Sequence, residues 1–298
     1  RKEKPDMLVL NLIVIPAMLA CIVSGIKAIR VISIQGYPHF LGVDGEVVPL
    51  WKRLENSIRK FLWNRIFPRA DYLLTMTKGT KDKLVKNTVL KEKQVLVVNN
   101  PVVDASVLSG KGRNVSHEWY KRNVPLIVGV GRLTKQKGFD VLINAVNKLK
   151  NMGVETRLLI IGEGEERSNL ERLINSHDLS GQINLLGHVD DPYPYMANAD
   201  LFVLSSRWED PGHAIIEAAA LNVPIVTTDC PSGPGDFVGQ GTGGWVCKND
   251  DANDMAEKIK DALNNPDPER LSVSAINAEY YTLKAHYTVL NSLFDMAR

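Results

Sequence analysis

The apolar positions of this chain fall into short unbroken runs separated by amphipathic stretches, the pattern of buried strands alternating with helices. The first run, MLVLNLIVIPAMLACIV at 7–23, is shorter than the ~20 residues a bilayer span requires, and Asn11 and Pro16 interrupt it. It predicts a buried parallel strand from Met7 to Ile13, then a helix with Pro16 in its first turn. Ile29 to Ile34 predicts the next strand. The loop after it, Gln35-Gly36-Tyr37-Pro38-His39, stands where open α/β sheets bind ligands.

From Leu50 to Arg69 the period becomes helical. Trp51, Leu54, Ile58, Phe61, Leu62 and Ile66 share one side, Trp63 and Phe67 widen it, and Lys52, Arg53, Arg59, Lys60 and Arg65 surround it. Such a helix suits an anionic membrane surface. A surface helix packed on its own domain by the same stripe is the alternative. Short strands at Ala70 to Thr77 and Gln94 to Val98 flank a Lys-rich helix, and Asn99-Asn100-Pro101 makes a turn. Residues 102–123 are polar and irregular, which gives a partial first domain at 1–101, a linker at 102–123 and a second domain at 124–298. The last helix is expected to return to the first domain.

The second half alternates regularly. Strands are predicted at Leu126 to Val130, Arg157 to Ile161, Ile183 to Leu186, Leu201 to Leu204, Ile225 to Thr228 and Gly244 to Val246, with helices between them and a last one at Ala252 to Leu263. This order makes a doubly wound, mostly parallel sheet. Composition adds mainly exclusions. With 298 residues, 44% of them hydrophobic, there is material for two cores, and a net charge of +2 gives no bulk attraction for nucleic acid. Cys21, Cys230 and Cys247 are odd in number and lack metal-ligand spacing, so buried thiols in a reducing compartment are expected.

Candidate chemistry gathers at the carboxyl ends of the predicted strands of the second half. In RWEDPGHAIIEAAA, Pro211-Gly212 opens a helix whose first amides, at Gly212, His213 and Ala214, are free to seat an anion. Glu209 precedes that seat and Glu217 lies in the helix, about 12 Å apart at ~1.5 Å per residue. The span suits two ends of one extended ligand; a dipole-favouring acid and a solvated helical glutamate fit equally. In GVGRLTKQKGFD, Gly131 lets a phosphate approach and Arg132 with Lys137 can grip a diphosphate, although an exposed Arg and Lys in a glycine turn are often merely solvated. The spacing matches neither a Walker loop nor a dinucleotide fingerprint. Gly162-Glu163-Gly164 and Gly187-His188-Val189-Asp190 also follow strands, so all these loops share one rim.

Together, GRLTKQKGFDVLINA, LLIIGEGEERSNLERLI and LLGHVDDPYPYMANADLFVLSSRWEDPGHAIIEAAALNVPIVTTDCPSGPGD resemble the donor-binding domain of the family 4 retaining glycosyltransferases. The likeness is dense over 124–265 and looser in KPDMLVLN, ADYLLTMTKGTKDKL and VLVVNNPVVD. It implies an α/β fold of GT-B type, with two Rossmann-like doubly wound parallel-sheet domains. It also implies transfer of a sugar from a nucleotide sugar, UDP-linked by expectation, to a lipid-linked or polysaccharide acceptor in cell-surface glycan synthesis. Arg132 and Lys137 then match the cations that neutralise the donor diphosphate, Glu209 the glutamate on the sugar hydroxyls, and Glu217 the one on the ribose. Gly212, His213 and Ala214 face sugar and phosphate, while Gly187 and His188 line the base with Glu163 nearby. The family's front-face retaining reaction needs no cofactor and no metal beyond these groups. A cytoplasmic protein, peripheral on the inner membrane face through 50–69, is the expected setting.

The family's first strand and its glycine-rich loop have no counterpart, so the first domain is expected to be incomplete. Where the family often has a histidine, this chain has Gln35-Gly36, leaving Gln35 and His39 as the acceptor-side candidates. A nucleotide-sugar epimerase of the same fold, and a binding-only fragment, are the competing functions.

Overall fold

A computed structural model describes residues 5–11, 14–25, 27–34, 49–121, 124–231 and 233–297. Gln35 and His39 lie outside them. The chain divides into two compact units, 1–100 with 284–298, and 101–283.

The first unit is a four-stranded parallel sheet in the order β1 (Met7–Asn11), β2 (Ile29–Ser33), β3 (Tyr72–Thr75) and β4 (Val95–Val97). Successive side chains point to opposite faces. Ile32 and Leu73 therefore join one core with Met18 and Leu84, while Val31 and Leu74 meet Leu293 on the other face. Met18 comes from α1 (Val14–Ser24), whose first turn contains Pro16 as the sequence predicts. Leu84 comes from α3 (Lys78–Asn87), and Leu293 from α12 (Leu283–Ala297), so most of the last helix is counted with this unit.

Helix α2 (Leu50–Ile66) continues into a 3-10 turn at Phe67–Arg69. Its apolar stripe is not all alike. Trp51, Leu54, Ile58, Phe61 and Leu62 are exposed, whereas Ile66 and Phe67 are buried and Trp63 stacks on Phe67 at 3.7 Å between ring centroids. The last turn therefore anchors the helix to the sheet, and Trp63, Ile66 and Phe67 belong to the core instead of widening the outer face. Among the described residues no helix is long and apolar enough to cross a membrane.

The second unit is a six-stranded parallel sheet, β10-β9-β8-β5-β6-β7. The strands are β5 (Leu126–Val130), β6 (Arg157–Ile161), β7 (Ile183–Gly187), β8 (Leu201–Leu204), β9 (Ile225–Thr228) and β10 (Trp245–Cys247). Their apolar runs are buried because helices cover both faces. On one face α5 (Phe139–Asn151) contributes Leu142, Ala145, Val146 and Leu149, at helical spacing, beside α6 (Arg167–Ser176) and α10 (Ala252–Asn264). On the other lie α7 (Tyr193–Ala197), α8 (His213–Ala220) and α11 (Pro268–Glu279). Asp251 and Asp267 cap α10 and α11 by accepting hydrogen bonds from backbone amides of the first turn. A one-turn helix, α9 (Pro234–Phe237), follows β9.

The described part of the expected linker, residues 102–121, packs into this second unit. Val103, Val107 and Trp119 are buried in the core beneath β5 and β8, and Asp104 caps a short helix, α4 (Ala105–Leu108). The polar tone of the segment hid three widely spaced apolar anchors. Cys21, Cys230 and Cys247 are buried and free, and burial pushes the Cys230 and Cys247 thiols up to about 12.

Candidate active site

The second sheet changes direction between β5 and β8. The chain runs from β5 outward through β6 to β7, then returns to place β8 on the other side of β5. Crevices at such switch points, beyond the carboxyl ends of the strands, are where open α/β sheets hold ligands. The loops after β5 and β8 flank this one, and several bonds lace them together. Ser205 Oγ donates to the Lys137 carbonyl at 2.8 Å, the Arg207 amide to the Gln136 carbonyl at 2.8 Å, and Gln136 Nε2 to the Trp208 carbonyl at 3.0 Å. Gly138, at φ 60°, is where the loops press closest: a Cβ there would stand 2.1 Å from the Ser205 carbonyl oxygen.

The lacing delivers Lys137 to Glu209. The ammonium and the carboxylate form an ion pair, and Ser206 Oγ donates to the same Glu209 oxygen at 2.8 Å. Glu209 is only 7% exposed, so the pair satisfies a carboxylate largely removed from water. The Lys137 stem lies along Gly131, where a Cβ would sit 3.2 Å from it, and Gly212 lies against the Glu209 carboxyl group.

Gly212 is the N-cap of α8, so the amides of Gly212, His213 and Ala214 begin the helix without intrahelical partners. Ile215, Ile216, Ala218 and Ala219 bury the helix in the core, which leaves Glu217 turned toward the rim. Its carboxyl group is pushed up to about 7, chiefly by burial and further by Asp104; the Tyr193 hydroxyl, which donates at 3.5 Å, and Lys137 oppose the shift. Although His213 is exposed, partial desolvation at the rim, with Lys137 nearby, holds its imidazole below its ordinary value, and Glu209 acts against it.

The remaining predicted residues stand at other points of the rim. Glu163, after β6, accepts from Arg167 Nη1 at 2.6 Å and reaches the Gly187 backbone at the end of β7. His188 is exposed and lies 3.5 Å from Asp190. Arg132 is exposed, with no hydrogen bond or ion pair from its side chain among the described residues. Thus Gly131, Lys137, Glu209, Gly212, His213, Ala214 and Glu217 are gathered at the switch point, while Glu163, Gly187 and His188 flank it. Among the described residues no cluster of His, Cys, Asp and Glu is arranged to hold a metal ion.

Residues 117–279, more than half of the chain, match the family model of the glycosyl transferases group 1. The chain belongs to that family. Among curated relatives of this group 1 transferase, an uncharacterized glycosyltransferase of Methanocaldococcus jannaschii is 27% identical over 80% of this chain and 59% of its own length. The N-acetylgalactosamine-N,N'-diacetylbacillosaminyl-diphospho-undecaprenol 4-alpha-N-acetylgalactosaminyltransferase of Campylobacter jejuni is 30% identical over 74% of this chain and 58% of its own length. The chain therefore spans about three fifths of these relatives. Among solved structures, Anabaena Alr3699/HepE in complex with UDP matches 96% of this chain and 78% of its own, with a TM-score of 0.75 at 16% identity. The two parallel-sheet units are those of the GT-B glycosyltransferase fold.

Two features of the site escape a reading by motif. Arg207 donates to both Asp140 carboxylate oxygens, at 2.9 and 2.8 Å, to Asp250 at 2.9 Å and to the Lys135 carbonyl at 2.8 Å. It fastens the loop that carries Lys137 to the loop that carries Glu209. The second is Tyr193, whose partner Glu217 lies 24 positions away in sequence. Nothing in local spacing links either residue to its partners.

Proposed function

We propose that this chain, as part of a GT-B glycosyltransferase, transfers a sugar from a UDP-linked donor with retention of configuration to a lipid-linked or polysaccharide acceptor in cell-surface glycan synthesis. The observation that carries the reading is the grouping of Lys137, Glu209, the α8 amides and Glu217 at the sheet's switch point. In this reading the α8 N-terminus and Lys137 take the diphosphate, and Arg132 swings onto it from its exposed position. These charges stabilise the departing nucleotide as the glycosidic bond to phosphate breaks, without a metal. Glu209 accepts from the sugar hydroxyls, Glu217 from the ribose, and Glu163, Gly187 and His188 border the base. The nucleotide in the HepE complex and the diphospho-undecaprenol acceptor in the name of the Campylobacter relative support this choice of donor and acceptor class.

The exposed apolar residues of α2, flanked by Lys52, Arg53, Arg59, Lys60 and Arg65, support docking on an anionic membrane, where a lipid-linked acceptor resides. The deciding experiment offers radiolabelled nucleotide sugars to the complete protein with membrane extracts as acceptor. Label is expected in the lipid or polysaccharide fraction from one donor and to be lost with Arg132→Ala or Glu217→Ala. Undiminished transfer by both variants overturns the site assignment. Conversion of the donor sugar with no acceptor present identifies an epimerase instead.

A further inference from the structure

Segment 104–113 comes to the same rim from outside the sheet. Asp104 accepts from the Ser106 and Val107 amides at 2.8 and 3.1 Å and from Ser106 Oγ at 2.6 Å, which folds the chain into α4. Further on, Gly110 lies on α7 so closely that a Cβ would stand 2.6 Å from Tyr193 Cβ. Arg113 Nη1 then pairs with Asp191 at 2.5 Å, and Asn198 Nδ2 donates to the Arg113 carbonyl at 2.9 Å. Asp191 in turn accepts from the Tyr193 amide at 3.2 Å. Tyr193 is thus gripped through its backbone and its Cβ, and its hydroxyl reaches Glu217, with Ser106 also beside it.

We propose that Tyr193, held by the segment from Asp104 to Arg113, is the positioning residue of Glu217 and sets the pH range over which that carboxylate binds a ribose. The part concerning ribose rests on the donor reading given above. The groups acting on Glu217 come from three directions: the Tyr193 hydroxyl from α7, Asp104 from the cap of α4, and Lys137 from the loop after β5. They differ in sign. A hydroxyl that donates to the carboxylate favours its charged form, and the like charge of Asp104 disfavours it. Removing the hydroxyl raises the ionisation midpoint of Glu217, and removing the charge of Asp104 lowers it. Only the ionised carboxylate accepts from both ribose hydroxyls, so nucleotide affinity is lost as pH falls through that midpoint.

The test uses Tyr193→Phe, which keeps the ring, and Asp104→Asn, which keeps a capping side chain. Carbon-13 NMR follows the Glu217 carboxyl titration in the free protein, and calorimetry follows UDP binding from acid to alkaline pH. Tyr193→Phe is expected to move the midpoint up and to weaken UDP binding roughly three- to tenfold near neutrality, with less effect at alkaline pH. Asp104→Asn is expected to move the midpoint down and tighten binding on the acid side. A merely structural tyrosine would leave the midpoint in place. Unchanged midpoints, or shifts in the same direction for both variants, overturn the proposal. Opposite shifts in a protein that binds no UDP at any pH uphold the role of Tyr193 and overturn the donor reading separately.

Discussion

Lys137 and Glu209 are bonded to each other across the crevice between β5 and β8, although the reading of the site gives one to the phosphate and the other to the sugar. On the proposed reading, a donor entering that crevice would exchange this ion pair for its own groups. Lys137→Ala would leave a carboxylate that is 7% exposed without its cation. Breaking such a pair from one side costs on the order of 3 kcal/mol. We expect a lower melting temperature and a fall in transfer rate of about 100-fold or more, the range for losing a charge-stabilising donor. Differential scanning calorimetry and initial rates with the complete enzyme check both.

Arg132 separates function from stability. Its side chain is exposed and without partners among the described residues, so Arg132→Ala is expected to change stability by less than about 0.5 kcal/mol. Transfer should nevertheless fall as steeply as for Lys137→Ala. Full activity in a variant with an unchanged melting curve would remove Arg132 from the site.

Arg207 makes the opposite prediction. Replacing it by Leu removes the fork onto Asp140 and the bonds to Asp250 and the Lys135 carbonyl, at an expected cost of about 2 kcal/mol. Because it holds the loop that carries Lys137, the loss is expected to weaken donor affinity by displacing Lys137. Asp140→Asn, which keeps half of the fork's acceptors, should give a smaller change, measurable as an intermediate UDP affinity.

Glu217 gives a pH signature in stability as well as in binding. Its folded midpoint, about 7, lies above the ordinary glutamate value of 4.5, so the folded state holds a proton that the unfolded chain releases. Stability from this group is intact below the unfolded value and declines as pH rises from about 4.5 to 7, by roughly 2 to 3 kcal/mol. Glu217→Gln is therefore expected to raise the melting temperature at pH near 8, with little change near pH 4, while UDP binding is lost. Melting curves at the two pH values decide it.

For the membrane, Arg59, Lys60 and Arg65 are to be changed together to Glu. The variant is expected to stop floating with vesicles rich in anionic lipid and to keep its UDP affinity, since α2 and the crevice belong to different units. Flotation equal to that of the parent chain would show that α2 does not bind lipid.

The second sheet was legible because each strand is an unbroken apolar run bounded by turn residues; β5, β6, β8 and β9 match their predicted limits. The candidate residues that the fold brings together were legible where they cluster in sequence, as in Gly131 to Lys137 and Glu209 to Glu217. What stayed hidden depends on contacts between distant segments. Whether Trp63 turns inward is decided by Phe67 beneath it, and Tyr193 meets Glu217 only after α7 and α8 pack. The burial of Val103, Val107 and Trp119 within the expected linker was hidden for a similar reason: they follow no helical or strand period, so their burial has no signature until the core exists.

The burial of those three residues also decides where the polypeptide can be divided. A second unit begun at 124 would lose Trp119 and Val107 from its interior and Asp104 from beside Glu217, exposing apolar surface on the face of the sheet that carries α8. Begun at Pro101 and ended near Leu283, it retains all of them. The place to sever the molecule is thus the Asn100-Pro101 junction, upstream of the stretch whose composition looks most like a hinge.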